Sequence, residues 1–251
     1  SIKNHLSFIS SVFDYAISQG VIKENPCRGV TLPAMEYGER DCYTLEEAQI
    51  FLTLLENEPL KWQAFFTLAI YGGFRRGELL GLEWDDIDFD NSVISINRTR
   101  NYTPAKGIFV DTPKTATSKR VLKLPVFVFD VLRRYRADQA QERLKVGDQW
   151  QASNCLFTSW NGTPMHPNSA ATWLARFCDR SGLRRVNIHS FRHLNASLLI
   201  NSGADVKTVS SVLGHAQTST TLNIYAHSFA TAKAAAMEAV ANALELKKNR
   251  A

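Results

Sequence analysis

The sequence lacks features that mark several classes of protein. No apolar run approaches the length of a membrane-spanning helix, and no signal peptide opens the chain. The four cysteines form no Cys-x-x-Cys pair and no metal-binding spacing; they are Cys27, Cys42, Cys155 and Cys178. Four such scattered residues indicate reduced thiols that pack in a cytoplasmic protein. We therefore expect no membrane partner and no disulfide framework.

Internal repeats and low-complexity tracts are also missing, although the end of the chain is rich in alanine. The chain begins at Ser1 with an amphipathic pattern already under way, since Leu6, Ile9 and Phe13 fall at helical intervals. We expect it to be a piece of a longer protein whose upstream part is missing.

The order of the predicted elements indicates an α+β fold that is mainly helical. The first helix should end near Gly20, and an irregular linker should follow to about residue 40. Thr44 and Glu47 form a capping box that begins the next helix. Short β-rich runs between residues 87 and 125 predict a small antiparallel three-stranded sheet. Further helices are predicted at 61–73, 76–80, 126–146, 167–181, 189–202, 205–213, 218–226 and 229–248.

Positive charge is concentrated in one stretch. Residues 98–124 carry seven basic side chains against Asp111 alone, an excess of six that exceeds the +5 of the whole chain. Such a patch suggests a polyanion partner, foremost nucleic acid, although a hairpin with ordinary solvated lysines would look the same. The predicted DNA-binding residues are Arg98, Arg100, Lys106, Lys119, Arg120 and Lys123.

The stretch "NIHSFRHLNASLLI", residues 187–200, places an imidazole and a guanidinium near the first turn of an otherwise apolar helix. His189 and Arg192 lie three residues apart, so they share a face. A helix N-terminus attracts anions, and these two side chains could grip a phosphate there. Taken alone, the pattern fits equally a partly buried histidine bonded to backbone.

Three other stretches bear on that choice. "YGGFRRGELLG" places Arg75 directly after a glycine-ended helix, with Glu78 three residues on. "DTPKTATSKR" places Lys114 at a turn between two strands. "LGHAQTSTTLNIYAH" places His215 after a helix-closing glycine and Tyr225 inside the next helix.

In this order the four stretches resemble the tyrosine recombinase, or phage integrase, family, over about residues 41–228. The resemblance implies that residues 1–33 are the C-terminal part of a core-binding domain that contacts DNA, 34–43 a linker and 44–228 the catalytic domain. It implies no cofactor and no metal.

The resemblance also assigns roles. Tyr225 would be the nucleophile that forms a 3′-phosphotyrosyl link, and Arg75 and Arg192 would clamp the phosphate oxygens. His189 would be the base or proton shuttle for the tyrosine. His215 would donate a hydrogen bond to the phosphate, and Lys114 would protonate the departing 5′ oxygen.

Two neighbouring residues are assigned supporting places. Glu78 would fix the pocket without reacting, and His193, next to Arg192, would brace the site. Considered singly, Tyr225 could be a packing residue and His215 a partner of a helix C-terminus. Lys114 competes with the three other lysines of its hairpin.

Carboxylates in "EWDDIDFD" offer a different enzyme class, a two-metal nuclease. However, Asp86, Asp88 and Asp90 alternate with Ile87 and Phe89, which favours a strand with one solvated face.

The sequence thus predicts a cytoplasmic, bacterial or phage-encoded recombinase that acts on double-stranded DNA, for integration or excision of a mobile element. Xer-type chromosome resolution, a type IB topoisomerase and a non-catalytic DNA-binding regulator remain alternatives. In this family the last helix often docks on a neighbouring protomer. We expect 229–251 to do so in a dimer or tetramer on DNA, while packing on its own domain is the alternative.

Overall fold

The computed structural model describes residues 2–33, 42–111 and 119–248. The chain divides into two compact units, Ser1–Arg40 and Asp41–Ala251, and the division falls within the segment 34–43 that was predicted as a linker. The first unit contains helix α1 (Ile2–Ser18) and a short 3-10 turn at Pro26–Gly29. Asn25 ties the two together, because its side-chain amide donates to the carbonyl of Ser10 at 3.0 Å.

The second unit is mainly helical, as the sequence predicts. Its helices are α2 (Leu45–Leu55), α3 (Leu60–Gly72), α4 (Arg76–Gly81), α5 (Val126–Val146), α6 (Pro167–Ser181), α7 (Ile188–Asn201), α8 (Val206–Leu213) and α9 (Thr218–Lys248). Thr44 caps α2 through the predicted capping box, in which its hydroxyl accepts from the backbone N–H of Glu47.

The described residues between α4 and α5 form five strands. They are β1 (Ile87–Asp88), β2 (Val93–Ile96), β3 (Thr99–Thr103), β4 (Gly107–Asp111) and β5 (Arg120–Lys123). The predicted three-stranded antiparallel sheet is present, in the order β1-β2-β5. The sequence analysis did not separate from it the hairpin of β3 and β4, which forms a second, two-stranded sheet.

Helix α3 lies at the centre of the core and positions the helices around it. Phe65 and Phe66 are fully buried, and the Phe66 ring contacts the rings of Phe51 from α2 and Phe191 from α7. Burying one such side chain contributes about 1.5–3 kcal/mol. On α7, Phe191 and Leu194 are both buried, as expected for apolar residues of this helix that face the core.

Helix α9 consists of two helical segments joined across a kink. The sequence predicts separate helices at 218–226 and 229–248, and the helical span Thr218–Lys248 is interrupted at Tyr225, whose backbone angles are non-helical at φ −116° and ψ 22°. The predicted break is therefore present, close to its expected position. No glycine or proline lies between residues 218 and 248, so helical structure resumes directly after the kink.

The acidic stretch at 83–90 also differs from expectation. Asp86 is buried and receives hydrogen bonds from the side chains of Arg98 and Asn97, so the predicted solvated position is wrong for this residue. Asp88 and Asp90 are exposed as predicted. Within the described ranges, His, Cys, Asp and Glu side chains form no group of three or more placed to bind a metal.

No helix in the described residues is long and apolar enough to cross a membrane. Cys27, Cys155 and Cys178 carry free thiols, and the last two are buried.

Candidate active site

The junction between α3 and α4 positions Arg75. Helix α3 ends at Gly73 in the left-handed conformation, φ 57°, which glycine adopts without a side-chain penalty. Arg75 then caps α4, and its backbone N–H donates to Oε2 of Glu78 at 2.9 Å. Its guanidinium donates to Oε1 of Glu78 at 2.8 Å and to the carbonyl of Gly214 at 3.0 Å. About a third of this side chain stays accessible, which leaves it able to meet a ligand.

Glu78 is buried between two guanidinium groups. Nη1 and Nη2 of Arg120, on β5, donate to its two carboxylate oxygens at 3.0 and 2.9 Å. Burial alone would raise the pKa of Glu78, but the hydrogen bonds and positive charge of Arg120 and Arg75 outweigh it, so the pKa lies below its usual value. Glu78 is therefore an ionised anchor, in keeping with the supporting place that the sequence analysis gave it.

Arg192 lies deep in the same region. It projects from the first turns of α7 and is 2% exposed, and its Nη1 donates to the carbonyl of Gly73 at 2.8 Å. Burial, and next the charge of Arg75, lower the pKa of Arg192 to about 9, so it is still charged at pH 7.

One atom of Arg192 is unsatisfied. Its Nη2 is buried and has no hydrogen-bond partner among the residues that the structure describes. A buried guanidinium nitrogen without an acceptor costs roughly 1–3 kcal/mol or more. An anion bound beside Arg192 would remove that cost.

His215 follows the glycine that closes α8 and is half-buried. Its Nδ1 lies 2.7 Å from the hydroxyl oxygen of Thr221, the first fully buried residue of α9. Burial, followed by the charges of Arg192 and Arg75, lowers the pKa of His215 to about 4. At pH 7 the imidazole is thus neutral and can donate one N–H to a ligand.

Tyr225 is buried, and its hydroxyl oxygen lies 2.7 Å from Nδ1 of His193. His193 is itself 7% exposed, and its ring meets the His189 ring edge-on at a centroid distance of 4.7 Å. His189, which was predicted to be the base, is exposed on α7. The observed contact between the Tyr225 hydroxyl and an imidazole thus involves His193, one turn further along the same helix.

The predicted residues Arg75, Arg192, His189 and His215 lie close enough for the charges of the first three to act on the fourth. Lys114, the sixth predicted catalytic residue, lies outside the described residues, so its role stays a prediction.

The predicted DNA-contact residues divide into two sets. Arg100 is buried and donates to the carbonyl of Leu80 at 2.7 Å, and half-buried Arg98 pairs with the buried Asp86. The two arginines connect β3, and the residues that lead into it, to the region around α4. They have little freedom to reach a DNA phosphate. Arg120 is held by Glu78, as described above. The ammonium groups of three lysines are exposed, as a DNA contact would need: Lys106, Lys119 and Lys123.

Sequence reasoning missed two contributors to the site. Arg120 was placed among the DNA contacts because its basic run gave no hint of a partner 42 residues away. Thr221 was overlooked because threonine in a Ser/Thr-rich helix start is common. Only the tertiary contact with His215 distinguishes it.

Curated relatives are similar along most of this chain. The ICEBs1 integrase of Bacillus subtilis (strain 168) is 31% identical over 230 residues, which cover 90% of this chain and 61% of that protein. A XerC-like tyrosine recombinase of Caldanaerobacter subterraneus subsp. tengcongensis is 30% identical over 259 residues, covering 95% and 65%. The chain thus spans less than two thirds of the length of these relatives.

Solved structures share the fold. The Tn1549 transposon integrase in complex with transposon right end DNA superposes with a TM-score of 0.80 at 24% identity, covering 96% of this chain and 79% of that one. A lambda integrase dimer bound to a core site has a TM-score of 0.58 at 20% identity, covering 87% and 70%. The phage integrase family matches residues 43–232, and the chain belongs to this family.

Proposed function

We propose that this protein is a site-specific DNA recombinase that cuts and rejoins DNA through a covalent 3′-phosphotyrosine intermediate. One observation carries the proposal. The buried Nη2 of Arg192 has no partner among the described residues, and Arg192 lies close to Arg75 and His215. The helix that carries Arg192, α7, also carries His193, which is hydrogen-bonded to Tyr225.

The charge of this cluster favours a phosphodiester. Arg75, Arg120 and Arg192 contribute three positive charges against the single carboxylate of Glu78, which leaves an excess of two. Planar guanidinium groups bind phosphate oxygens through paired N–H donors. Arg75 and Arg192 would hold the non-bridging oxygens, and their contact would strengthen as charge develops in the transition state.

The tyrosine supports covalent strand transfer. Its reference pKa is about 10, so ionising it at pH 7 costs roughly 4 kcal/mol, and a proton acceptor next to the hydroxyl reduces that cost. Attack by Tyr225 on the phosphorus would conserve the bond energy until a new 5′-hydroxyl arrives. His215 would donate to the phosphate, and Lys114 would protonate the departing 5′ oxygen. The proposed steps use side chains alone, with no cofactor or metal.

Integration or excision of a mobile element in a bacterial cytoplasm is the proposed biological setting. Its support is the similarity to the ICEBs1 integrase and to a transposon integrase. The similarity to a XerC-like recombinase favours a second candidate, resolution of chromosome dimers. Recombination assays with one mobile-element junction and one chromosomal site would separate the two.

Double-stranded DNA and further copies of this chain are the proposed partners. In the first unit, residues 1–33 would belong to a DNA-contacting domain. In the second, the distal part of α9 is accessible, since Met237 and Val240 are 61% and 54% exposed. We propose that this part of α9 docks on a neighbouring protomer when two or four copies assemble on DNA.

A suicide substrate with a nick next to the scissile phosphate tests the activity. The wild-type protein should form a covalent DNA adduct in EDTA, and Tyr225→Phe should form none. Tyr71→Phe, which alters a tyrosine of α3 whose ring packs against Phe127, is the matched control and should behave as wild type. Absence of any wild-type adduct would indicate a DNA-binding regulator. Relaxation of supercoils without joining of two duplexes would indicate a topoisomerase, and a need for Mg²⁺ would indicate a carboxylate-metal nuclease.

A further inference from the structure

His193 is the side chain seen in contact with the reacting oxygen. Its Nδ1 lies 2.7 Å from the Tyr225 hydroxyl oxygen, within the range in which a general base takes a proton. Resting on the proposed function, we propose that His193 accepts the Tyr225 proton during DNA cleavage and returns it during rejoining. It would thus be a catalytic residue and not only a brace beside Arg192.

The position of His193 on α7 supports this role. Arg192, the preceding residue, is anchored to the Gly73 carbonyl at 2.8 Å, and its Nη2 is buried with no hydrogen-bond partner among the described residues. Adjacent residues of one rigid helix would therefore hold the electrophile and activate the nucleophile. Such placement fixes their separation to within the precision that catalysis requires.

Burial strengthens the argument. His193 is 7% exposed and Tyr225 is 6% exposed, so bulk water has little access to the hydrogen bond between them. A buried hydroxyl needs a protein partner, and an imidazole can both bind the hydroxyl and take up its proton. The ring of His189, which is exposed, meets the His193 ring edge-on at a centroid distance of 4.7 Å.

The step balances as follows. His193 begins neutral with its proton on Nε2, so Nδ1 can accept. The Tyr225 oxygen forms its bond to phosphorus while its proton moves to Nδ1. The bond from phosphorus to the 5′ oxygen breaks, and that oxygen leaves with the electron pair and takes a proton from Lys114. In the reverse step the imidazolium returns its proton to the tyrosine oxygen.

Several charged or titratable groups surround this pair. His189 on α7 contacts the His193 ring, and the charge of Arg192 interacts with Tyr225. The charges of Arg75 before α4, Glu78 on α4 and Arg120 on β5 act in turn on Arg192, and His215 after α8 lies near Arg192 and His189. The test therefore compares whole pH profiles of wild type and variants.

His193→Asn is the decisive variant, because asparagine can bond the tyrosine hydroxyl but cannot take up its proton. Single-turnover cleavage of the nicked substrate should fall at least about 100-fold. The remaining rate should rise with pH beyond the point where the wild-type rate levels off, as hydroxide replaces the base. DNA binding and the melting temperature should stay close to wild type, and His166→Asn, which keeps a side chain that caps α6, should cleave normally.

A substrate with sulfur in place of the bridging 5′ oxygen locates the defect. Its leaving group needs no proton, so it should restore cleavage by Lys114→Ala but not by His193→Asn. As a second variant, His193→Ala should regain part of its rate with added imidazole, which His193→Asn should not.

Wild-type or faster cleavage by His193→Asn would overturn the inference, since the bond would then only hold Tyr225 at rest. Rescue of His193→Asn by the sulfur substrate would overturn it too. If the wild-type protein forms no adduct, the proposed function itself fails. An adduct that is undiminished in His193→Asn refutes the role of His193 alone.

Discussion

Arg120 and Glu78 form a two-point ion pair across 42 residues of sequence, with N–O distances of 3.0 and 2.9 Å. The Arg120 side chain is 7% exposed and that of Glu78 2%. Arg120 also donates from Nε to the carbonyl of Val212 at 2.8 Å, which ties β5 to the end of α8. The pair thus joins the part of the chain that carries Arg75 to the part that carries His215.

Replacing Arg120 by alanine should lower the free energy of unfolding by about 3–5 kcal/mol, because Glu78 would lose a buried partner. Chemical denaturation measures this loss. Arg133→Ala is the matched control: its pair with Asp130 is half-exposed and should contribute at most about 1 kcal/mol. If both substitutions lower the free energy of unfolding equally, the buried pair stabilises the protein no more than the exposed pair does.

Arg192→Lys should abolish most cleavage while the protein stays folded. A lysine keeps the charge but cannot reach the Gly73 carbonyl and a phosphate oxygen at once with a planar set of donors. The loss expected for one transition-state donor is roughly 100- to 1,000-fold. Single-turnover adduct formation at saturating DNA measures it, and a rate within a factor of three of wild type would contradict the assignment.

The lowered pKa of His215 predicts how the free energy of unfolding depends on pH. Its pKa in the folded chain is about 4, below the ordinary 6.5, so folding favours the neutral ring. The unfolded chain then binds more protons between these values, and the free energy of unfolding should fall as the pH is lowered from 6.5 toward 4. His215→Asn, which can still bond Thr221, should remove this part of the slope. Denaturation curves at pH 7.5 and pH 5 give the free energy of unfolding of both proteins. If this free energy changes equally between the two pH values in both proteins, the prediction is wrong.

Gly214 should be sensitive to alanine for a reason beyond its backbone. Its φ is +63°, and an added Cβ would lie 2.6 Å from Nη1 of Arg120. Gly182 has nearly the same φ, +65°, with nothing within 4 Å of its Cβ position. Gly182→Ala therefore measures the backbone strain alone, about 1 kcal/mol. Gly214→Ala should be more destabilising and should also slow cleavage. If the two variants match in stability and activity, the contact with Arg120 is unimportant.

Removing residues 230–251 tests the proposed docking of the distal part of α9. The truncated protein should bind a single DNA site but fail to form complexes that contain two or more protomers, as measured by native gel shift and sedimentation. Strand exchange should fall in parallel. Unchanged assembly would mean that this segment packs on its own domain.

Local patterns were enough to predict the helices of the second unit and the existence of the sheet. Capping residues and glycines such as Gly182 mark the helix ends by rules that act within a few residues. The interruption in α9 was also predictable, because the predicted helices 218–226 and 229–248 meet close to the kink at Tyr225.

The candidate site was predictable as a set of residues but not as a set of contacts. Arg120 looked like a free surface charge until the fold brought it to Glu78. Arg100, which the basic run marked as a DNA contact, donates to the carbonyl of Leu80 inside the protein, and sequence spacing alone does not reveal such a partner. His189 and His193 lie one turn apart on the same side of α7, so the choice between them as partner of the tyrosine depends on position along the helix axis. Sequence spacing alone cannot resolve such a difference.

The break in α9 at Tyr225 has a mechanical consequence. Tyr225 is the only residue with non-helical backbone angles in the described length of α9, which extends to Lys248, so bending is easiest at the residue that carries the proposed reactive oxygen. A neighbouring protomer that binds α9 near Met237 would therefore bend the helix at Tyr225. We expect such binding to shift the Tyr225 phenol relative to His193 before any DNA strand is cut.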